Sequence, residues 1–246
     1  MKAETPYIHL LERKRSWTPL EITKGKLLEG GEEVVQRALA LRCLEIPVGS
    51  FVDEASKGDL PQGTDAKGCK ELLLSNVKDE EKHDLALNLC AAAHGVPERF
   101  EKEAARIQKA WLELDRHPIL KAVVIERSIF FVLLPIFRWL GDTGLSSTQQ
   151  DISRDEQTHT AANSLVCEAL GLKGDKQINQ LRKATVAWVL QSLEADCENP
   201  RLSKNFWMKS SDMLYAQGKA ATLKETTHSR MPSFFEIRNE NLPMYV

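Results

Sequence analysis

Two Glu-x-x-His sequences stand out because each can present a carboxylate and an imidazole to the same metal ion. Glu80 pairs with His83, and Glu156 pairs with His159. Residues three apart lie on one face of an α-helix, so the two side chains of each pair converge. Oxygen-rich ligation with imidazole suits iron or manganese better than a structural zinc ion. The spacing therefore predicts a metal centre shared by two helices.

Two further carboxylates occur where a charge would be costly without a partner. Glu45 is flanked by Leu44 and Ile46, and Glu126 lies between two apolar runs. A buried carboxylate is tolerated when it is paired or bound to a metal. We therefore predict that Glu45 and Glu126 complete the site.

The resulting set of four carboxylates and two imidazoles could neutralise and bridge two divalent cations while leaving positions for dioxygen. Oxidation is the chemistry that such a set indicates, with iron, manganese or both as the metals. A third Glu-x-x-His, Glu225 with His228, lies near Pro232 with little apolar sequence around it. We interpret this third pair as a coincidence of spacing.

Helical periodicity accounts for the elements that must position these residues, and no strand pattern is found. A Gly-, Asp- and Lys-rich loop is expected at 53–68. Pro47 is expected to kink its helix or end it early, and Pro135 is expected to kink the helix that contains it. In the irregular N-terminal segment, 1–26, a helix start is expected at Thr18 and Pro19. The tail, 228–246, is expected to be irregular. Helices are expected at 27–51, 69–93, 97–115, 119–140, 147–170, 176–195 and 202–223.

Composition places the chain among ordinary globular proteins. It has 246 residues, of which 42% are hydrophobic and 28% charged, with a formal net charge of -2. One domain covering 1–246 is expected. The absence of a basic field argues against nucleic acid or anionic lipid as partners.

Cysteine usage and hydropathy predict a cytoplasmic protein that is not inserted in a membrane. The five cysteines are far apart and form no Cys-x-x-Cys, which argues against a disulfide framework or a zinc knuckle. The N-terminus lacks an apolar signal core. The longest apolar run, 129–137, is too short to span a bilayer.

Several of these segments resemble the small, radical-generating subunit of class I ribonucleotide reductase and its oxidase relatives. Residues 154–159 resemble the Arg-Asp-Glu-x-x-His signature of that family, and 17–22 its Trp-x-Pro-Glu-Glu-Ile segment. Residues 126–130 and 44–45 resemble its third and first metal helices. The resemblance implies an all-α, ferritin-like four-helix bundle with flanking helices, a dinuclear iron or manganese site, a homodimer, and a large catalytic subunit as partner.

The same resemblance suggests a route for electrons and protons. In the family a Trp, an Asp and a metal-bound His form a hydrogen-bonded relay, and the matching residues are Trp17, Asp155 and His83. Asp155 could instead only orient a histidine, and Trp17 could be a core anchor. Tyr245, in a C-terminal segment that could dock on the large subunit, is a further relay candidate; a disordered end is the alternative.

Two departures from the family keep other functions open. Leu87 occupies the position of the radical-bearing tyrosine, and the chain is short for the family. Leucine cannot form a stable radical, so the oxidant would stay on the metals. The alternatives are a stand-alone di-metal oxygenase or oxidase, with an apolar substrate pocket beside Glu126 and Phe130, and a ferroxidase that handles iron.

Overall fold

The computed structural model describes residues 5–58 and 60–220, with side chains described up to residue 216. Helices dominate this part of the chain, and its only β pairing is an isolated bridge between Glu194 and Ser203. The all-α prediction is therefore confirmed. The helices are α1 (Pro6–Glu12), α2 (Glu32–Ala40), α3 (Glu45–Lys57), α4 (Cys69–His94), α5 (Glu98–Glu113), α6 (Pro118–Ile125), α7 (Phe131–Trp139), α8 (Thr143–Ala169), α9 (Lys176–Val189) and α10 (Lys204–Ala220).

Four helical segments form a closed ring of neighbours at the centre of the fold: α3, α4, α8, and the segment 118–139, which contains α6, a π-helical turn at Glu126–Phe130 and α7. α3 packs on α4 and α6, and α8 packs on α4, α6 and α7. α1, α2, α5, α9 and α10 pack around this ring. All six predicted metal ligands lie on the ring segments, so its interior is where they can meet.

The N-terminal segment differs from the prediction in two places. Pro6–Glu12 is helical, with Pro6 in the first turn and the Thr5 hydroxyl accepting from the Ile8 amide. The helix expected at Thr18 is absent, since 14–28 contain no helix. Its polar groups bond to other elements instead: the Gly25 amide donates to Asp142 Oδ2 (2.5 Å), and the Leu28 amide donates to the Leu140 carbonyl (2.9 Å).

The predicted first helix, 27–51, is wrong at both ends. Helix begins at Glu32, passes through a 3₁₀ turn at Leu41–Leu44, and continues as α3 to Lys57. Pro47 does not end it, because Pro47 lies in the first turn of α3, where its missing N–H would have no intrahelical partner. The predicted loop therefore starts after Lys57 and not at Asp53.

The apolar segment expected as one helix over 119–140 is interrupted. A π-helical turn, Glu126–Phe130, separates α6 from α7. The irregularity thus falls at Glu126, while Pro135 lies inside α7. Such turns are rare and often occur at functional sites, and this one carries a predicted ligand.

The remaining helix predictions agree closely with the structure. α4 and α5 match the expected ranges, and α8 begins four residues earlier than the predicted start at residue 147. α9 ends at Val189, which is earlier than the predicted 195. The expected tail, 228–246, lies outside the described residues. Within the described part of the chain, no helix is both long enough and apolar enough to cross a membrane.

Candidate metal centre

The two Glu-x-x-His pairs meet inside the ring of helices. α4 supplies Glu80 and His83, and α8 supplies Glu156 and His159. One ligand atom from each of the four lies within 4.8 Å of the others, and no side chain of the four is more than 1% exposed. The cluster could hold a metal ion.

Both imidazoles turn the same ring nitrogen toward the carboxylates. Glu156 Oε1 lies 3.3 Å from His83 Nδ1 and 3.8 Å from His159 Nδ1. Glu80 faces both histidines with different oxygens: its Oε2 lies 3.6 Å from His83 Nδ1, and its Oε1 lies 2.9 Å from His159 Nδ1. Each carboxylate therefore faces both histidines.

Glu45 and Glu126 are also buried beside this cluster, with 1% and 0% exposure. Glu45 Oε2 lies 3.7 Å from His83 Nδ1. Glu126 is held on the other side by Asn163, whose Nδ2 donates to both carboxylate oxygens (2.9 and 2.7 Å). The structure thus brings Glu45 next to His83, and fixes Glu126 by an amide that sequence reasoning did not single out.

The donor atoms at the centre lack the partners that burial normally requires. Apart from these close contacts with one another, the oxygens of Glu80 and Glu156 and Nδ1 of both histidines have no hydrogen-bond partner. Buried polar atoms without partners are costly, and several carboxylates in one pocket repel each other. These atoms could act as ligands to a metal ion.

Outside the cluster, each histidine is oriented by an aspartate from the opposite helix. His83 Nε2 lies 3.3 Å from Asp155 Oδ2, and His159 Nε2 lies 3.1 Å from Asp79 Oδ2. Donation from Nε2 leaves the Nδ1 lone pair directed at the cluster. Each Asp–His pair therefore joins the two helices: Asp79 of α4 contacts His159 of α8, and Asp155 of α8 contacts His83 of α4.

Sequence reasoning missed Asp79, although the sequence contains a signal for it. Asp79 immediately precedes Glu80, as Asp155 immediately precedes Glu156, so both helices carry Asp-Glu-x-x-His. Lys14 and Lys82 pair with Asp79, Lys82 Nζ at 2.7 Å from its Oδ1.

Trp17 contacts two residues of the site, Asp155 and His83. Its Nε1 donates to Asp155 Oδ2 (2.6 Å), and its ring stacks on that of His83 with centroids 6.1 Å apart. Trp17 is half-buried, so it is not a fully enclosed core anchor. The three predicted relay residues, Trp17, Asp155 and His83, therefore form one connected path. Tyr245 lies outside the described residues.

Burial and close contact displace the pKa values of the whole cluster. Burial, reinforced by neighbouring carboxylates, raises the pKa of Glu45, Glu126 and Glu156. Burial alone would lower the pKa of His159, but bonds to Asp79 and Glu80 outweigh it and raise that pKa to about 10. The metal-free site therefore holds protons that bound cations would displace.

Leu87, which the sequence resemblance aligns with a radical-bearing tyrosine, lies on α4 and is buried in the hydrophobic core. It offers no group that could hold a radical.

Comparison with protein-family models gave no match, and comparison with curated proteins gave no significant relative.

Proposed function

We propose that this chain is a dinuclear-metal oxidoreductase of ferritin-like type that serves as a tyrosine-free, radical-generating small subunit of a ribonucleotide reductase. The observation that carries the proposal is the path from half-buried Trp17 through Asp155 to His83. Its inner end is the buried, unpartnered donor set, and its outer end can be reached from the surface. Such a path suits electron exchange with a partner protein.

The proposed metals are two ions of iron, manganese or one of each, held by Glu45, Glu80, His83, Glu126, Glu156 and His159. When bound there, they would supply oxidising equivalents obtained from dioxygen. The protein's own contribution is to exclude water, keep the carboxylates close together, and fix both imidazoles by Asp79 and Asp155.

Asp155 has a second task in this scheme. When Trp17 gives up an electron, its Nε1 proton becomes acidic, and Asp155 Oδ2 lies 2.6 Å away to accept it. Return of the electron would return the proton to Nε1. Bonds to His83 and Trp17 lower the pKa of Asp155 despite its burial, so the carboxylate is ionised and ready to accept.

The test is restoration of nucleotide reduction. Protein loaded with Fe(II) and Mn(II), singly and together, would be exposed to air and mixed with a cognate large subunit and a nucleoside diphosphate. We expect turnover, together with an electron paramagnetic resonance signal centred on the metals that decays only when subunit and nucleotide are both present.

The Trp17→Phe variant separates the relay from the metals. It should abolish nucleotide reduction while leaving metal content unchanged. Trp188→Phe is the matched control, because Trp188 is also half-buried and also donates from Nε1 to a carboxylate, that of Glu103 at 2.7 Å. Full turnover by Trp17→Phe would refute the relay.

A second candidate, a stand-alone di-metal oxidase or oxygenase, is favoured by Leu87. Without a tyrosine at that position, the oxidant could react with a small organic substrate in place of a partner subunit. Return of the air-treated metals to a resting state, unaffected by large subunit and nucleotide, would support this candidate.

A further inference from the structure

A second buried polar site lies beside the π-helical turn, apart from the metal cluster. It is a small pocket, part of it open to solvent, between α6, the π turn, α8 and α10. None of the six proposed ligands lines it. Its polar lining includes Arg127, Ser128 and Ser164.

Arg127 is an unusual residue to find in this pocket. Its side chain is 7% exposed, and among the described residues its one polar partner is Ser164 Oγ, 3.2 Å from Nη1. No carboxylate in the described part of the chain lies within salt-bridge distance of it. Arg182, which is fully buried, by contrast pairs with Asp212 and bonds to Asn179 and Ser211.

A buried guanidinium without an anion is energetically unfavourable, because desolvation of the charge is not offset. An arginine guanidinium keeps its charge at neutral pH in proteins. Most of its five donors are free to bind a ligand.

Ser128 adds an independent indication of a missing ligand. Its side chain is fully buried, lines the same pocket, and its hydroxyl makes no hydrogen bond. An anion bound to Arg127 would give this hydroxyl an acceptor. Polar side chains so deeply buried are normally satisfied.

The rest of the wall selects among anions. Leu120, Val123, Val124 and Leu172 supply an apolar surface beside the guanidinium. A phosphate or sulfate would leave that surface facing a charged ligand, whereas an alkyl chain would pack against it. The planar guanidinium matches a carboxylate in geometry.

We propose that this pocket binds a short-chain monocarboxylate, with its carboxylate on Arg127 and Ser128 and its alkyl chain against the apolar wall.

The position of the pocket connects the ligand to the metal centre. Arg127 and Ser128 belong to the turn that carries Glu126, and Ser164 follows Asn163, which donates to both oxygens of Glu126. A bound carboxylate would therefore contact both segments that position Glu126. The binding itself requires no metal.

The test is calorimetric titration of the full-length protein, as purified and after metal removal, with butyrate, butyramide and inorganic phosphate. We expect saturable butyrate binding in both forms. Butyramide, which has the same shape without the charge, should bind at least about tenfold more weakly, since a charged hydrogen-bonded contact is lost. Phosphate should also bind more weakly than butyrate.

Variants assign the binding to the pocket. Arg127→Gln should weaken butyrate binding at least about tenfold, and Ser128→Ala about threefold. Arg106→Gln, the same change at an exposed arginine of α5, should leave it unchanged. Ser128→Ala keeps the test valid if Arg127→Gln fails to fold.

Four results would overturn the proposal: no saturable butyrate binding, equal affinity for butyramide, tighter binding of phosphate, or wild-type affinity in the folded pocket variants. Butyrate binding by a protein that fails to retain metal would leave this inference standing while removing the proposed function.

Discussion

Glu156 is the residue whose change to glutamine tests the metal centre most sharply. Its Oε1 faces both histidines, at 3.3 and 3.8 Å, and apart from these contacts neither of its oxygens has a hydrogen-bond partner. Glutamine keeps the shape but replaces an anionic ligand by a weak neutral one. We therefore predict loss of metal-dependent stabilisation without loss of metal-free stability.

The expected size of the metal-dependent stabilisation follows from the linkage between metal binding and folding. At a metal concentration about 100 times the dissociation constant, binding stabilises the wild type by about 2.7 kcal/mol. For a chain of this length that corresponds to a rise in melting temperature of about 5 to 11 °C. If Glu156→Gln weakens binding about 100-fold, the stabilisation falls to about 0.4 kcal/mol and the rise to about 1 to 2 °C.

The metal-free variant should melt at the wild-type temperature or above. Burial, together with the neighbouring Glu80, raises the pKa of Glu156, which means that its charged form is disfavoured in the metal-free fold. Removing that charge relieves the repulsion.

Thermal unfolding would be followed by circular dichroism with chelator and with Fe(II) or Mn(II) under nitrogen. Glu168→Gln, the same change at an exposed position of α8, is the control and should keep the full metal-dependent rise. A full rise in Glu156→Gln, or no rise in the wild type, would refute the metal-site reasoning.

Three further predictions concern Asp79, Asp142 and Cys167. Asp79→Asn should weaken metal binding about 10- to 100-fold, measured by competition with a chelating dye, because His159 Nε2 loses its anionic partner. Asp142→Ala should lower the free energy of unfolding, measured in urea, by about 2 to 4 kcal/mol. This buried carboxylate caps α8 and also accepts a hydrogen bond from the backbone amide of Gly25. Cys167 should resist iodoacetamide at pH 8 in the native protein, since burial raises its pKa to about 12 and keeps the thiol protonated, while the half-buried Cys197 reacts.

Each of these has a clear contrary result. Asp84→Asn, the same change one to two turns further along α4, should leave metal affinity unchanged; equal effects of both variants would remove the special role of Asp79. Asp151→Ala, on α8, should change the free energy of unfolding by less than about 0.5 kcal/mol. If Asp142→Ala changed it by as little, the capping argument would be contradicted. Rapid alkylation of native Cys167 would show that its surroundings open readily.

The helices that carry the cluster could be predicted because their local signals are strong. α4 has a long helical pattern between Gly68 and Gly95, and both glycines adopt positive φ at its ends. The pairing of His83 with His159 across α4 and α8 followed from ligand chemistry, since buried Glu and His require partners.

What the sequence could not provide depends on contacts between distant elements. Thr18 and Pro19 form a plausible helix start, yet the segment forms no helix, and its polar groups bond to distant residues: Trp17 to Asp155 and Gly25 to Asp142. The π turn at Glu126 is likewise a tertiary feature.

Asp79 is a different kind of omission, because its signal was present. Comparing the two Glu-x-x-His segments one residue further toward the N-terminus would have shown Asp-Glu-x-x-His in both. The crossing of the two aspartates between helices, however, needed the packing of α4 against α8.

The most direct test of the central claim is the metal content of the full-length protein after anaerobic loading with Fe(II), Mn(II) and both, measured by mass spectrometry after removal of free metal. The proposed function predicts two ions per chain in the wild type and a large loss in Glu156→Ala. Substoichiometric metal in the wild type, or equal content in Glu156→Ala, would contradict a dinuclear centre at this cluster.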